Sequence, residues 1–362
     1  MLQIRRQRKP GRVVGLEIEA GGIAAAEVDS GQLTTAALAP LAPGAFHEGE
    51  VTDVELLAQS LKSLFAQHKL SKRVRLGIGN QRVVVRTLRL PVIEDSKELD
   101  AAVRFQAQEQ MPMPLDQAVL EHQVVGTVPG EEGAPPQVEV VVVAARREMV
   151  GQFVEPLRRA GLEPVGIDLS AFAMIRALSG AAGPAAPVDG GEGAVAPKEQ
   201  AVLYCNVGDI MNLAVARGRS CLFTRVSMVG LEGIVRRLAA ETGLVPDHAS
   251  QWLAHVGLQR PLEQIEGDPQ VVTKTRTALE EGVGNLVDEL RLSLDYYAAQ
   301  EGAVPVGRIV LCGPGSAIPG LVSVMESGLS LPISAALPPA FAGYDGNVAA
   351  RLTLAYGLGL EN

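Results

Sequence analysis

The feature that most constrains this chain is a motif that occurs twice. Val13–Val28, VVGLEIEAGGIAAAEV, is an apolar run, a tight Gly21–Gly22 turn and a second apolar run ending in Glu27 and Val28. Two strands joined by a glycine turn is what that pattern specifies. Half the chain away, Val202–Ala216, VLYCNVGDIMNLAVA, again carries a strand into a glycine-bearing turn and out into a second strand. The two turns differ in length by about one residue. Glu17 and Asn206 hold the same place, the polar residue ahead of the turn proper, and Ile18 and Val207 follow them. This is an internal duplication of one supersecondary unit.

A chain of 362 residues is too long for one ordinary core, so two domains are expected. Apolar residues make up 47% of it and aromatics only 4%, so the core must be built from Val, Leu, Ala and Ile, as in sheets flanked by helices. The net charge of −9 speaks against nucleic acid as a partner, because phosphate contacts need a concentrated basic face. No run of about eighteen apolar residues is present to span a membrane. Arg5, Arg6, Arg8 and Lys9 lead into the first strand with neither an apolar core nor a small-residue cleavage site, so no secretory signal is expected. Cys205, Cys221 and Cys312 stand apart from one another and from His, which fits a reducing cytosol and no zinc site.

Residues 1–12 carry five basic side chains without periodicity. A frayed tail is the plain expectation, and weak attraction to an anionic membrane surface the sharper one. Val54, Leu57, Leu61, Leu64 and Phe65 fall at helical spacing over Val54–His68. Val74–Ile78 and Val83–Leu90 read as strands around Gly79–Asn80. Asp95, with Glu98 three residues on, starts a helix that Pro112 and Pro114 stop near Met111. Val119–Val128 and Gln137–Ala145 are further strands around the loop at 129–136, so residues 74–150 make a compact inserted α+β module. Arg147–Ala160 is a helix closed by Gly161, followed by a strand at Pro164–Asp168 and a helix at Ser170–Leu178. Ser179–Lys198, mostly Ala, Gly and Pro, is too poor in large apolar groups to repay ordering and reads as a flexible linker between the two domains. After the repeated hairpin come Cys221–Ser227, helices over Leu231–Thr242, Pro246–Val256 and Val271–Gln300, the strand Arg308–Cys312, and helices Leu321–Gly328 and Ala349–Gly357.

Two such hairpins facing each other across a cleft, with a third glycine loop at Leu311–Leu321, LCGPGSAIPGL, is the layout of the actin-like ATPase folds. Among these the chain resembles the type IV pilus assembly PilM family, in Leu90–Pro91 with Glu94–Glu98, and in Phe105–Asp116, Ala144–Leu178, Phe223–Gly230 and Leu286–Leu321. The resemblance implies an α/β, two-domain actin-like ATPase fold with a duplicated core sheet and a small α+β subdomain inserted in the first half. It places a first actin-like subdomain at 13–73, with 151–178 and 340–362 returning to it, and the insert at 74–150. A linker follows at 179–198, then a second actin-like subdomain at 199–230 and 305–339, with a helical subdomain at 231–304.

In the family pattern each phosphate loop begins Asp-Ile-Gly, and the first continues through serines toward a Lys. The acid organises Mg²⁺, glycine permits close backbone approach, and hydroxyl and ammonium groups hold phosphate oxygens. Here Glu17 stands for the Asp, Glu19 for the Gly, Ala20, Gly21 and Gly22 for the serines, and Ala24 for the Lys. In the second loop Gly208 is kept but neutral Asn206 replaces the acid, and Asn cannot supply the charge that holds a dication. Acids at this loop also repel a triphosphate, by roughly 1 kcal/mol per pair at about 4 Å in water and several times that in a drier cleft. The expectation is weak ATP/Mg²⁺ binding at most, without turnover. Its candidate residues are Glu17, Gly21, Gly22, Asn206, Gly208, Asp209, Gly313 and Gly315, with Asp209 restoring charge and the backbone N–H groups of Gly21 and Gly22 gripping. Gly313 and Gly315 resemble the adenosine loop, although Pro314 between them removes one donor.

The resemblance further implies a cytoplasmic adaptor at the inner face of the cytoplasmic membrane, serving a type IV pilus or related secretion machine. Its partner would be the N-terminal tail of a PilN-like bitopic membrane protein, held in a groove between the insert and the first domain. Peptide capture of that kind needs an apolar groove and accessible backbone more than it needs catalysis. The strand Val83–Leu90, with Val83, Val85 and Thr87, is the expected wall. Other pilus assembly components and a second copy of the chain are further expected partners. Two rival readings are a nucleotide-cycling ATPase, which lacks its Lys and second acid here, and a membrane-associated filament of the FtsA kind. The latter would end in an amphipathic anchor helix, which GLGLEN at Gly357–Asn362 does not resemble. No other catalytic set is expected: His47, His68, His122, His248 and His255 are scattered, Asp288 and Glu289 read as solvated charges, and Trp252 as a core anchor.

Overall fold

The computed structural model describes residues 11–129, 135–180 and 200–360. Most of the basic tail, the tip of the loop at 129–136 and almost all of the 179–198 linker lie outside the described residues. The chain begins with β1 (Val13–Glu19), β2 (Gly22–Asp29), β3 (Gln32–Ala39), a short hairpin of β4 (Phe46–His47) and β5 (Glu50–Val51), α1 (Val54–His68) and β6 (Arg73–Ile78). Next come β7 (Val84–Pro91), α2 (Ser96–Gln110), β8 (Ala118–Val128), β9 (Gln137–Arg146), α3 (Arg147–Arg159), β10 (Glu163–Leu169) and α4 (Ser170–Leu178). The second half holds β11 (Ala201–Val207), β12 (Met211–Arg217), β13 (Ser220–Ser227), α5 (Leu231–Thr242), α6 (Pro246–Val256) and α7 (Pro269–Ala298). It closes with β14 (Val306–Cys312), α8 (Leu321–Gly328), β15 (Ile333–Ala335) and α9 (Gly346–Gly359).

The duplication extends from the hairpins to whole sheets. One five-stranded sheet has the order β3-β2-β1-β6-β10 and the other β13-β12-β11-β14-β15. In both, the hairpin and its third strand run antiparallel, and the next strand joins parallel to the first: β1 to β6, and β11 to β14. The central strands are buried along nearly their whole length, as strands covered on both faces must be. Glu19 pairs with Gly22, leaving Ala20–Gly21 as the first turn, whereas Val207 pairs with Met211 and leaves Gly208–Ile210 as the second.

Helices α4 and α9 tie the two sheets into one body. Met174, Ile175 and Leu178 of α4 share a core with Tyr204, Ala214 and Val310 of the second sheet and with Leu354 of α9. On its other side α9 packs Ala349, Leu352 and Ala355 on Ala24 and Ala26 of β2. The approach is close enough that backbones meet. A Cβ at Gly357 would collide with the Ala173 carbonyl, and one at Gly15 with the Ala355 carbonyl, so both positions require glycine.

Contacts divide the chain into two compact units, one running up to Gly79 and resuming at Pro156, the other Asn80–Glu155. The boundary at residue 74 is therefore corrected: β6 lies between β1 and β10 as a strand of the first sheet, and the insert begins only after it. Within the insert β9 is central, flanked by β7 and β8. Val103 and Ala107 of α2 cover the face that carries Leu88, Leu90, Val140 and Val142. Asp95 caps α2, its carboxylate accepting the N–H groups of Lys97 and Glu98 at 2.8 and 3.0 Å. Among the described residues no helix is long and apolar enough to cross a membrane.

Candidate functional site

The two hairpin turns face each other. The second is braced from behind by the start of α5, where Leu231 N–H donates to the Gly208 carbonyl at 2.8 Å and Glu232 N–H to the Asp209 carbonyl at 3.3 Å. Gly230 makes this possible, because any Cβ there would strike the Asp209 backbone. So held, Asp209 reaches the first turn, and its Oδ2 accepts the Gly21 N–H at 2.5 Å. Arg351 of α9 closes on the same residue, donating to the Gly21 carbonyl at 3.0 Å.

Glu19 makes the reciprocal contact. Its Oε1 lies where a Cβ at Gly208 would stand, beside Asn206 Nδ2, and it is buried without a hydrogen-bond partner. Asn206, 1% exposed, fits its Oδ1 over Gly313, where any Cβ would collide, and Cys312 Sγ donates to that oxygen at 3.8 Å. Asn212, 2% exposed, lies over Gly79. Glu17 faces α4: Ser170 Oγ lies 2.8 Å from its Oε1 and 3.1 Å from its Oε2, and Gly77 leaves room for the carboxyl.

Electrostatically this is a crevice crowded with acid. Burial pushes the Glu17 carboxyl up to about 7, against a smaller lowering by the Ser170 hydroxyl. Burial also lifts Glu19, with Asp209 and Glu17 adding to the effect and Arg351 and Asn206 opposing it. Asp209 is raised by burial and by Glu232, while the Gly21 N–H and Arg351 draw it down. Glu232 is itself engaged: its carboxylate lies 2.5 Å from His47 Nδ1 and accepts the Glu48 N–H at 3.3 Å.

A nucleotide with its Mg²⁺ does not fit these residues. The Gly21 N–H that would meet a phosphate oxygen is already taken by Asp209, and Glu19 fills the space over Gly208. Ala24 lies in the apolar cluster with Phe341 and Leu352, so no cation approaches from that strand. Gly22, at φ +145°, is backed by the Ala39 carbonyl and by Arg351. Gly313 and Gly315 are packed against Asn206 and Val207, which accounts for the lack of side chains there. Among the described residues no three His, Cys, Asp or Glu are grouped to hold a metal ion.

The sequence-predicted residues of both hairpins and the third loop thus meet in one place. In the sequence Glu19 reads as a displaced glycine and a charge that repels phosphate, with no hint of its place over Gly208, and Ser170, Asn212, Glu232 and Arg351 carry no local signal. They come from helices and a strand whose registry only the folded chain defines. The other predicted group lies on the insert. Val85 and Thr87 are in β7, opposite Val143 and Val141 of β9, while Val83 precedes the strand and donates its N–H to Asn80 at 3.1 Å.

The chain matches the family described as type IV pilus assembly protein PilM over residues 15–357. It belongs to the PilM family. A solved structure described as a PilM-PilN type IV pilus biogenesis complex superposes with a TM-score of 0.74 at 24% identity, covering 96% of this chain and 97% of that one. The ethanolamine utilization protein EutJ of Carboxydothermus hydrogenoformans superposes with a TM-score of 0.51 at 13% identity, over 98% of this chain and 92% of its own. At these identities the likeness is one of fold, and the fold is that of the actin-like ATPases. Membership of the PilM family gives the chain a role in type IV pilus assembly.

Proposed function

We propose that the chain is an adaptor of type IV pilus assembly at the inner face of the cytoplasmic membrane, holding the N-terminal tail of a PilN-like membrane protein on its insert, with nucleotide handling weak or lost. The observation that carries this reading is the open edge of β7. It pairs with β9 on one side, and among the described residues no strand pairs with the other. Proteins usually blunt such an edge, and an extended peptide can add to it as a further strand, with main-chain hydrogen bonds supplying affinity. Arg86, Thr87 and Arg89 are exposed along it, and Val85 offers apolar contact. The solved complex of a PilM with a PilN is of the same fold and supports the choice of partner. Other assembly components and self-association belong to the same adaptor reading. Fluorescence anisotropy of a labelled tail peptide tests it. Binding is expected at roughly tens of micromolar, about −6 to −7 kcal/mol, with Val85→Asp weakening it by about tenfold or more; no binding in that range argues against the adaptor role.

A further inference from the structure

We infer that Asp209 is a built-in anion that clasps the two hairpin turns together, a side chain standing where an actin-like fold would receive a phosphate. This deepens the reading that nucleotide handling is weak or lost and rests on it. The Gly21 amide is a backbone donor at a turn, the kind of group that receives a phosphate oxygen, and the Asp209 carboxylate occupies it at 2.5 Å. Arg351, on the carbonyl side of the same residue, provides the cation that such an anion calls for.

The carboxylate is also presented rigidly. Two N–H groups at the start of α5 hold the Gly208 and Asp209 carbonyls, and Gly230 brings the helix against the Asp209 backbone. A charged side chain fixed in this way loses little freedom in making its contact. The exchange is reciprocal: the second turn lends Asp209 to Gly21, and the first lends Glu19 to the space over Gly208. Retention of glycine at 208 is thereby explained without a nucleotide, since any side chain there would collide with Glu19. A triphosphate entering the crevice must displace Asp209 and pass Glu19.

The test is to delete the anion and return it from solution. In the full chain, Asp209→Gly is expected to lower Tm by roughly 3–6 °C for a protein of this size. Sodium formate, a carboxylate small enough for the vacated place, is expected to restore about 1–3 °C of that loss near 100 mM through binding to the folded state. Sodium chloride at equal ionic strength restores nothing, and formate leaves the wild type unmoved. A variant as stable as the wild type, or a formate effect equal in both, would overturn the clasp.

Amide exchange in the wild type decides the matter even if the variant does not fold. The exposed Gly21 N–H is expected to be protected by about 100-fold or more over an open turn, and exchange at the open-turn rate overturns the inference. Mg-ATP added to the wild type speaks to the other reading: a rise in Tm contradicts lost nucleotide handling, while the formate and exchange results still judge the clasp.

Discussion

Asp209 Oδ2 lies 2.5 Å from the amide nitrogen of Gly21, a contact between positions 188 residues apart that joins the two copies of the repeated hairpin at their tips. The PilM-family scaffold keeps its two sheets in register through α4 and α9 and closes the crevice with its own carboxylates. Arg351 is the cation that answers them, lowering both Glu19 and Asp209.

Arg351→Met is therefore expected to destabilise the protein by about 1 kcal/mol near neutral pH, a charge-assisted hydrogen bond discounted for the exposure of the guanidinium. Its loss raises the native pKa of both carboxyls further above their unfolded values, so the cost grows as pH rises. Urea melts of both proteins at a mildly acidic and a mildly alkaline pH should give the larger difference at the higher pH.

Glu17 sets a second pH dependence. Its native pKa is raised from 4.5 to about 7, so the folded state keeps a proton that the unfolded chain has released. Its contribution to stability is then fully present below the unfolded pKa and declines as pH rises from 4.5 through about 7. Glu17→Gln, which keeps an acceptor for Ser170, is expected to gain on the order of 2–3 kcal/mol over wild type at pH 8 and almost nothing at pH 4.5. Denaturant midpoints across that range check it, and a constant offset at every pH would contradict it.

Much of this was legible beforehand because the signals are local. The Gly-centred hairpins, the Asp95 cap and the spacing of Leu57, Leu61 and Leu64 each report on a few neighbouring residues. The strand Gln32–Ala39 carries no such local signal, since QLTTAALA has no strong alternation and becomes a strand by pairing with β2. The apolar run of strand β6 does not reveal which sheet it will join, because its parallel partners β1 and β10 come from both sides of the insert. The candidate site was half legible. Glu17, Asn206 and Asp209 stand out against a phosphate-loop pattern, but the pairing of Glu19 with Gly208 depends on two turns meeting in space.

The glycines where backbones touch should be intolerant, and those in open space should not. Gly357→Ala drives a methyl into the Ala173 carbonyl and is expected to cost about 3 kcal/mol or more, because a backbone cannot step aside as a side chain can. Gly151→Ala, exposed in α3 with nothing within 4 Å, is expected to gain about 0.5–1 kcal/mol. Thermal melts of the two variants should move in opposite directions.

The most direct measurement of the whole account is the affinity of the PilN-like tail peptide for the full chain, taken with and without saturating Mg-ATP. A self-occupied crevice and a separate peptide-binding insert give binding of about tens of micromolar, unchanged within roughly twofold by nucleotide. No binding, or an affinity that moves about fivefold or more when Mg-ATP is added, contradicts it.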